Sequence, residues 1–452
     1  MKATRRNLFK MLGALTPMAV LGGKALAADS GTGQGHPPGR VRTLNGWTLP
    51  HRMVDGVKEF HLVGEEVDHE FGPGGEGQST RAKLWGYNGS SPGPTIEANE
   101  GDRVRIFVTN RLGEHTSVHW HGINLPSGMD GVGGLTQPHI KPGETYAYEF
   151  TLRQHGTHMY HPHADEMVQM AMGMMGFFII HPREEVQPIH RDYAVLLHNF
   201  ALHPGTSRPD PSVMQDFDLW TMNSKVFPAI EPIVAATGER VRIRVANLSM
   251  WNHPIHMHGP KFLVTGGDGG RWPQPLWRSE VTEIVGVGQI RDLEFVAEPG
   301  DWAFHCHMSH HTMNAMGHEV PNMIGVDQSG VESEIRKLLP GYMAMGEHGM
   351  AEHQEHTDSG HMPGPPNTLP MMMGKGPFGN LEMGGMFTVI KVRDGLKPGS
   401  FEDPGWYPHP RGTVAQRVSA DPGFGSPIRR AEGNQAPPNA RLSGGHKHPK
   451  QS

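Results

Sequence analysis

The one cysteine of the 452-residue chain sits in Phe304-His305-Cys306-His307, with His311 and Met316 following at fixed spacing. Cys with His and a distant Met is the donor set of a blue copper site. In an extended strand, neighbouring side chains point to opposite faces. Cys306 then points one way while His305 and His307 point the other, where two imidazoles suit a second copper centre. The Cys306 backbone becomes a short covalent link between the two. A lone buried Cys usually packs as a small hydrophobe. Five metal-competent side chains between His305 and Met316 set this one apart.

Three more clusters precede it: His119/His121, His161/His163 and His253/His256/His258. In a strand, His-x-His places both imidazoles on one face. A single such pair means little in a chain with 31 His. Their order carries the argument, because the chain repeats itself. Gly101-Asp102-Arg103-Val104-Arg105-Ile106 recurs as Gly238-Glu239-Arg240-Val241-Arg242-Ile243. His119-Trp120-His121-Gly122 and His256-Met257-His258-Gly259 each begin 18 residues after those glycines. Gly156 to His163 then matches Gly300 to His307. Two copies of one β domain explain the pattern, over about 45–185 and 186–330. The copies differ where the blue site would be: Cys306 matches Pro162, His311 matches Met167 and His253 matches Thr116. The first copy keeps paired histidines but cannot build a blue site.

The elements that position these ligands read as strands. Asp102–Val108 and Tyr146–Phe150 alternate in polarity, and Gly and Pro punctuate the runs between. The fold class is all-β: two copies of one β domain with a Met/His-rich C-terminal extension. Residues 1–28 read as a twin-arginine signal, with Arg5-Arg6, an uncharged run to Gly23 and Ala25-Leu26-Ala27 as cleavage site. The uncharged run is too short to span a bilayer, so no membrane anchor remains after cleavage. Residues 29–44 are a Gly/Pro-rich linker. Residues 331–398 hold a short helix near Glu332–Leu339, a Met/His-rich insertion and the strand-like Phe387–Val392; either that strand or Asn322–Val326 closes domain two. Residues 399–452 read as a disordered tail. Net charge is −6 with no basic run, which excludes a nucleic-acid footprint.

His-Cys-His with the later His and Met resembles the C-terminal copper motif of multicopper oxidases. The first half, with His-Trp-His-Gly, Met129-Asp130-Gly131, Tyr160-His161-Pro162-His163 and Met172-Gly173, resembles bacterial copper-resistance and copper-efflux oxidases. Only 89 residues separate His163 from His253, too few for the family's usual middle domain, so the architecture is similar to two-domain laccases. Copper nitrite reductases also have two domains, but their blue-site cysteine lies in the first; Pro162 argues against them. The resemblance implies that both copies are cupredoxin-like Greek-key β-sandwich domains, and it implies four coppers. His253, Cys306, His311 and Met316 would hold the type 1 copper. His119 and His256 would hold type 2, and His121, His161, His163, His258, His305 and His307 the type 3 pair.

It also implies a periplasmic enzyme that oxidises Cu(I) or phenolic donors one electron at a time and reduces O2 to water, in copper tolerance. The alternative is a copper-sequestering protein with incidental oxidase activity. Asp130 matches the family's proton-delivering acid, although Met129-Asp130-Gly131 is also good turn chemistry. Thr312 stands where many efflux oxidases have a second acid; Glu319 and Asp165 are the substitutes nearby. His115, His139, His155, His158, His310 and His318 read as supporting or surface residues. Met167, Met170, Met172, Met174 and Met175 read as core packing. Half of the cluster histidines lie in each domain, so a homotrimer that shares each cluster between protomers is expected.

Between residues 341 and 386 lie nine Met and four His. Thioethers select Cu(I), and the run lacks the apolar periodicity of a core. It reads as a cuprous collecting arm, or as a disordered tract of incidental copper affinity.

Overall fold

The computed structural model describes residues 40–73, 79–185, 187–313, 330–338, 366–367, 369, 374–397 and 399–417. Pro408 onward forms a separate unit from the rest. The signal segment, Met316, His318, Glu319, Asn322–Val326 and most of the Met/His-rich tract lie outside the described residues. Among the described residues, no helix is long and apolar enough to cross a membrane.

Strands dominate, in two sandwiches built to one plan. In the first, one sheet runs Arg52–Val54, Val57–Pro73, Arg103–Asn110, Thr145–Thr151, with Ser79–Tyr87 also paired to Val57–Pro73. Its partner sheet runs Ile96–Asn99, Gly176–His181, Gly156–His161, His119–His121. The alternation in Arg103–Asn110 is what a two-faced strand requires: Val104, Ile106 and Val108 are buried, and the residues between them face out. The second sandwich repeats these pairings. Arg191–Phe200 lies parallel to Arg240–Asn247, as Val57–Pro73 does to Arg103–Asn110. Its ligand-bearing sheet runs Ile233–Ala236, Phe387–Arg393, Gly300–Cys306, His253–Met257, Thr282–Val285.

The strand Phe387–Arg393 therefore closes the second sandwich. It pairs with Gly300–Cys306 just as Gly176–His181 pairs with Gly156–His161.

Each sandwich has its own core, with Trp120 and Phe178 in the first and Trp220 and Phe304 in the second. A third apolar cluster joins Phe71 and Phe177 of the first sandwich to Leu196, Phe200 and Phe387 of the second. Each such side chain contributes about 1.5–3 kcal/mol by leaving water. A buried polar clamp crosses the same contact. Arg244 is held by Asp192 and donates to Thr157 Oγ1 at 2.7 Å, and Thr157 donates to Asp292 at 2.8 Å. Burial alone would raise the Asp192 pKa, but Arg244 and Arg242 outweigh it and hold it at about 2.

Several expectations need correction. The linker is not flexible to its end: Arg42–Thr43 is a strand parallel to Arg191–Phe200, and Val41 and Leu44 are buried. Leu44 enters the core of the second sandwich, and Val41 enters the apolar cluster between the two. The start of the tail is also fixed. The Ser400 carbonyl accepts from Arg191, the Phe401 ring lies under Arg191 and beside Tyr193, and Lys391 pairs with Asp403 at 2.7 Å. Met386 is fully buried beside Cys306, and Met383 packs on the core between the sandwiches. The end of the Met-rich run is thus core, because it leads into the closing strand. Met167, read as core, is instead 58% exposed.

Candidate metal centre

Cys306 ends the central strand of its sheet, opposite Ile255 on one side and hydrogen-bonded through its N–H to the Met386 carbonyl on the other. Alternation divides its neighbours as the strand geometry demands. Phe304 and Cys306 enter the second core, while His305 meets the rings of His256 and His258 on the opposite face.

Three donor groups converge at Cys306. Its Sγ lies 3.3 Å from His311 Nδ1 and 3.6 Å from His253 Nδ1, and the two Nδ1 atoms are 3.1 Å apart. All three residues are buried. The Ser249 hydroxyl can donate to the Asn247 side-chain oxygen or the Trp251 carbonyl, which leaves its oxygen to accept from His253 Nε2 at 2.6 Å. That fixes the His253 tautomer, with the Nδ1 lone pair aimed at Cys306. Burial pushes the thiol up to about 12 and His253 down to about 3. Such a set of neutral groups with converging lone pairs fits a cation that displaces the thiol proton, and Cys with two His fits copper. Trp220 stacks on His311 at 3.7 Å and walls the site from water.

The paired histidines form two groups. His119, His121, His161 and His163 pack ring against ring in the first sandwich, and His256, His258, His305 and His307 do so in the second. Matched positions use matched bonds. Nδ1 of His119 donates to the Asp130 carbonyl and Nδ1 of His256 to the Val281 carbonyl, both at 2.8 Å. Nδ1 of His161 donates to the Pro162 carbonyl at 3.0 Å and Nδ1 of His305 to the Cys306 carbonyl at 2.8 Å. Each bond turns an Nε2 lone pair toward the cluster, the usual arrangement behind a metal-ligating His. His161 Nε2 lies 3.3 Å from His121 Nδ1, and His305 Nε2 lies 3.2 Å from His258 Nε2.

Within one chain the two groups do not meet: among the described residues no ring contact or hydrogen bond joins them. Each sits at a sheet edge. His119–His121 is itself an edge strand, and His253–Met257 is covered only by the edge strand Thr282–Val285. Val281 and Ile284 are exposed there.

Asp130 lies in a turn beside His119. Its N–H donates to the Ser127 carbonyl in a turn, and its Oδ1 lies 3.5 Å from His119 Nδ1. Glu166 escaped the sequence reading. It opens the helix Glu166–Ala171 and lies 3.5 Å from His161 and 3.8 Å from His163, whereas Asp165 beside it is exposed. The spacing His163-x-x-Glu166, placing both on one turn, was the available signal. Trp220 carried none, being distant in sequence from His311, whereas Ser249 stands only four residues before the His253 it bonds. Of the remaining histidines, His158 is fully buried, His115 and His139 pack together, and His310 lies against Trp220 and Trp251.

Two multicopper oxidase family models match the chain, over residues 75–185 and 203–325, roughly half of it between them. The chain belongs to the multicopper oxidases. Copper resistance protein A of Escherichia coli is 45% identical over 122 residues, which are 27% of this chain and 20% of that protein. A copper resistance protein A homologue of Pseudomonas syringae pv. tomato is 39% identical over 164 residues, 34% of this chain and 26% of that one. The matched stretch thus spans only a fifth to a quarter of these relatives. Among solved structures, the multicopper oxidase mgLAC superposes with a TM-score of 0.54 at 25% identity, covering 74% of this chain and 86% of the other. A blue copper oxidase from Nitrosomonas europaea gives 0.53 at 24% identity, covering 74% and 85%, and supports the shared fold. The family holds four coppers, of types 1, 2 and 3, and the three donor groups described above suit them.

Proposed function

We propose that this multicopper oxidase takes single electrons from Cu(I) or a phenolic donor and reduces O2 to two waters, in copper tolerance. The single observation that carries the reading is the split face of one strand: Cys306 in a buried Cys/His/His set, and His305 and His307 in a histidine set behind it. His253, Cys306 and His311, with Met316, would hold type 1 copper. His119 and His256 would hold type 2, and His121, His161, His163, His258, His305 and His307 the type 3 pair. Copper there supplies a one-electron acceptor beside Cys306 and a four-electron oxygen-reducing centre among the imidazoles.

The chain's own part is positional. The carbonyl of Cys306 holds His305 by its Nδ1–H, so the thiol site and the histidine site share one residue and one hydrogen bond. Ser249 holds the His253 tautomer, and Trp220 excludes water. We assign proton delivery to Asp130, whose Oδ1 lies 3.5 Å from His119 Nδ1, behind the ring. The two histidine groups, apart in one chain and set at sheet edges, become one site when a second copy brings its second sandwich to the first sandwich of its neighbour. A closed ring of three copies satisfies every half-site. The copper-resistance relatives and the Arg5-Arg6 segment support export by the twin-arginine route to the periplasm.

The test is Cys306→Ser. The blue absorption and oxygen uptake should both vanish, while copper stays at the histidines. A variant that remained blue would end the reading.

A further inference from the structure

The two sandwiches share a buried hub. Asn110 and Asn247 each stand nine residues after the repeated glycines Gly101 and Gly238, and both are fully buried. Their bonds match one for one. Each main-chain N–H donates to a turn carbonyl at 3.0 Å, that of Glu144 in the first sandwich and of Gln289 in the second. Each main-chain carbonyl accepts from a turn glycine, Gly143 at 2.8 Å and Gly288 at 2.9 Å. Each Nδ2 donates at 2.9 Å to the carbonyl that leads into the turn, Ile140 or Val285. Each Oδ1 accepts at 2.9 Å from the N–H two residues on, Leu112 or Ser249. This much belongs to the fold, since both sandwiches have it.

The second hub differs at both of its ends. Where the first has the apolar Leu112, the second has Ser249, whose hydroxyl donates to Asn247 Oδ1 at 2.7 Å and whose oxygen lies 2.6 Å from His253 Nε2. The other end is the turn at residues 286–289. A Cβ at Gly143 would meet nothing within 4 Å among the described residues, whereas one at Gly288 would stand 3.7 Å from His121 Cε1. The Gly288 carbonyl accepts from the His121 ring. His121 Nδ1 faces His161 Nε2 at 3.3 Å, so the nitrogen left for that carbonyl is Nε2. His119 and His161 take their main-chain acceptors from their own sandwich. His121 instead is held across the contact between the sandwiches. An acceptor behind a ligating imidazole fixes its tautomer and ring orientation and raises its basicity.

We propose that Asn247 is a positioning residue common to both copper centres. Through Ser249 it sets His253 of the thiol site, and through the turn at residues 286–289 it sets His121 of the histidine cluster. This rests on the oxidase reading above and adds what holds the two centres in register. In the ring proposed above, Cys306 backs one cluster and His121 enters the next, so the tie runs from one centre to its neighbour.

Four variants of the copper-loaded full chain test it. The readouts are the midpoint potential of the blue site, the affinity of the histidines for copper and the unfolding temperature. Ser249→Ala removes the acceptor behind His253. A less basic imidazole favours Cu(II) less, so the potential should rise, by about 59 mV for a tenfold loss of that preference. Gly288→Ala puts a side chain at a φ of 72° and shifts the carbonyl from His121. It should weaken copper at the histidines about tenfold and keep the blue potential. Asn247→Ala should do both. Asn110→Ala breaks the matched hub and should lower the unfolding temperature by a similar amount, while the blue potential stays. Either signature unmoved in Asn247→Ala, or the blue potential moved equally in Asn110→Ala, overturns the proposal and leaves Asn247 with the fold alone. Should Asn247→Ala fail to fold, Ser249→Ala and Gly288→Ala decide, and either one without its own effect overturns it. Oxygen uptake is read on the same samples. Uptake by the unaltered chain with silent variants refutes this inference alone. Variants that behave as expected in a chain that reduces no oxygen refute the oxidase reading alone.

Discussion

The two sandwiches put different contents into one position. In the second, His253, Cys306 and His311 bring three lone pairs to a point. In the first, Thr116 stands for His253 and Pro162 for Cys306. The gap is closed by Gln169, fully buried, whose Oε1 accepts from Thr116 at 2.7 Å and whose Nε2 donates to the His115 carbonyl at 2.8 Å. One sandwich leaves its donors aimed at a cation, and the other pairs Thr116 and the His115 carbonyl internally. The paired histidines on the opposite face are kept in both, down to the same Nδ1 bonds. The fold thus treats the thiol site and the histidine face as separable. On the proposed reading only the face is needed from both copies, because each would supply half of one cluster.

The largest test breaks that last statement. His121→Ala disables the first-sandwich half and His258→Ala the second. Each variant alone should lose oxygen uptake. Co-expressed, the two chains form mixed rings in which some interfaces carry both intact halves, and uptake should return. No recovery in rings shown to be mixed would mean that each cluster closes within one chain.

A smaller effect tests whether Gln169 is a plug. Gln169→Leu removes both bonds and leaves the buried Thr116 hydroxyl only the Ser117 carbonyl at 3.3 Å. The loss costs about 1–3 kcal/mol, so thermal unfolding should shift down by a few degrees. Blue absorption at Cys306 should be unchanged. A loss of blue colour would tie the first sandwich to the thiol site and undo the separation.

Asp130→Asn sharpens the comparison at the histidine face. Asp130 touches His119, while the matched His256 has only the Val281 carbonyl and the Thr282 hydroxyl. The carboxylate therefore serves one half of the cluster. Stopped-flow oxygen reduction should slow on the order of a hundredfold, the usual worth of a positioned acid. Reduction of the blue site by a donor should keep its rate. Equal slowing of both steps, or of neither, would leave Asp130 with the turn alone.

How much of this could be read from the sequence depends on distance along the chain. The repeat, the strand alternation and the His-x-His spacing are local, and they located the ligand-bearing strands. What could not be read was tertiary. Nothing local says that Arg42–Thr43 joins the second sandwich's sheet and not the first's. Nor does anything local say that Trp220 stacks on His311, or that Gln169 rather than Met167 answers Thr116. Counting along the repeat aligned Met167 with His311. The helix Glu166–Ala171 turns Met167 outward and Gln169 inward, which a residue count ignores. Met383 and Met386 were misread for a related reason: composition assigned them to a polar tract, whereas the strand that follows draws them into the core.

The smallest expected effect concerns the connection after the ligand strand, where the sandwiches differ most in length. In the first, residues 162–175 link His161 to Gly176; in the second, residues 307–386 link Cys306 to Phe387. The extra length holds seven methionines and four histidines between 341 and 373. Their soft donors suit collection of Cu(I) for delivery to the thiol site. A deletion through residue 386 would remove Met386, whose carbonyl accepts from Cys306 and whose N–H donates to the His311 carbonyl, and so would damage the site itself. Deletion of 341–373 spares that contact and the hairpin strands Gly374–Gly376 and Gly379–Leu381. Under the collecting role, Cu(I) oxidation should fall several-fold at low Cu(I) and recover at high Cu(I), where collection no longer limits. Phenol oxidation should hold or rise. Loss of both activities with loss of the fold would make the segment structural. No change in either would overturn the collecting role.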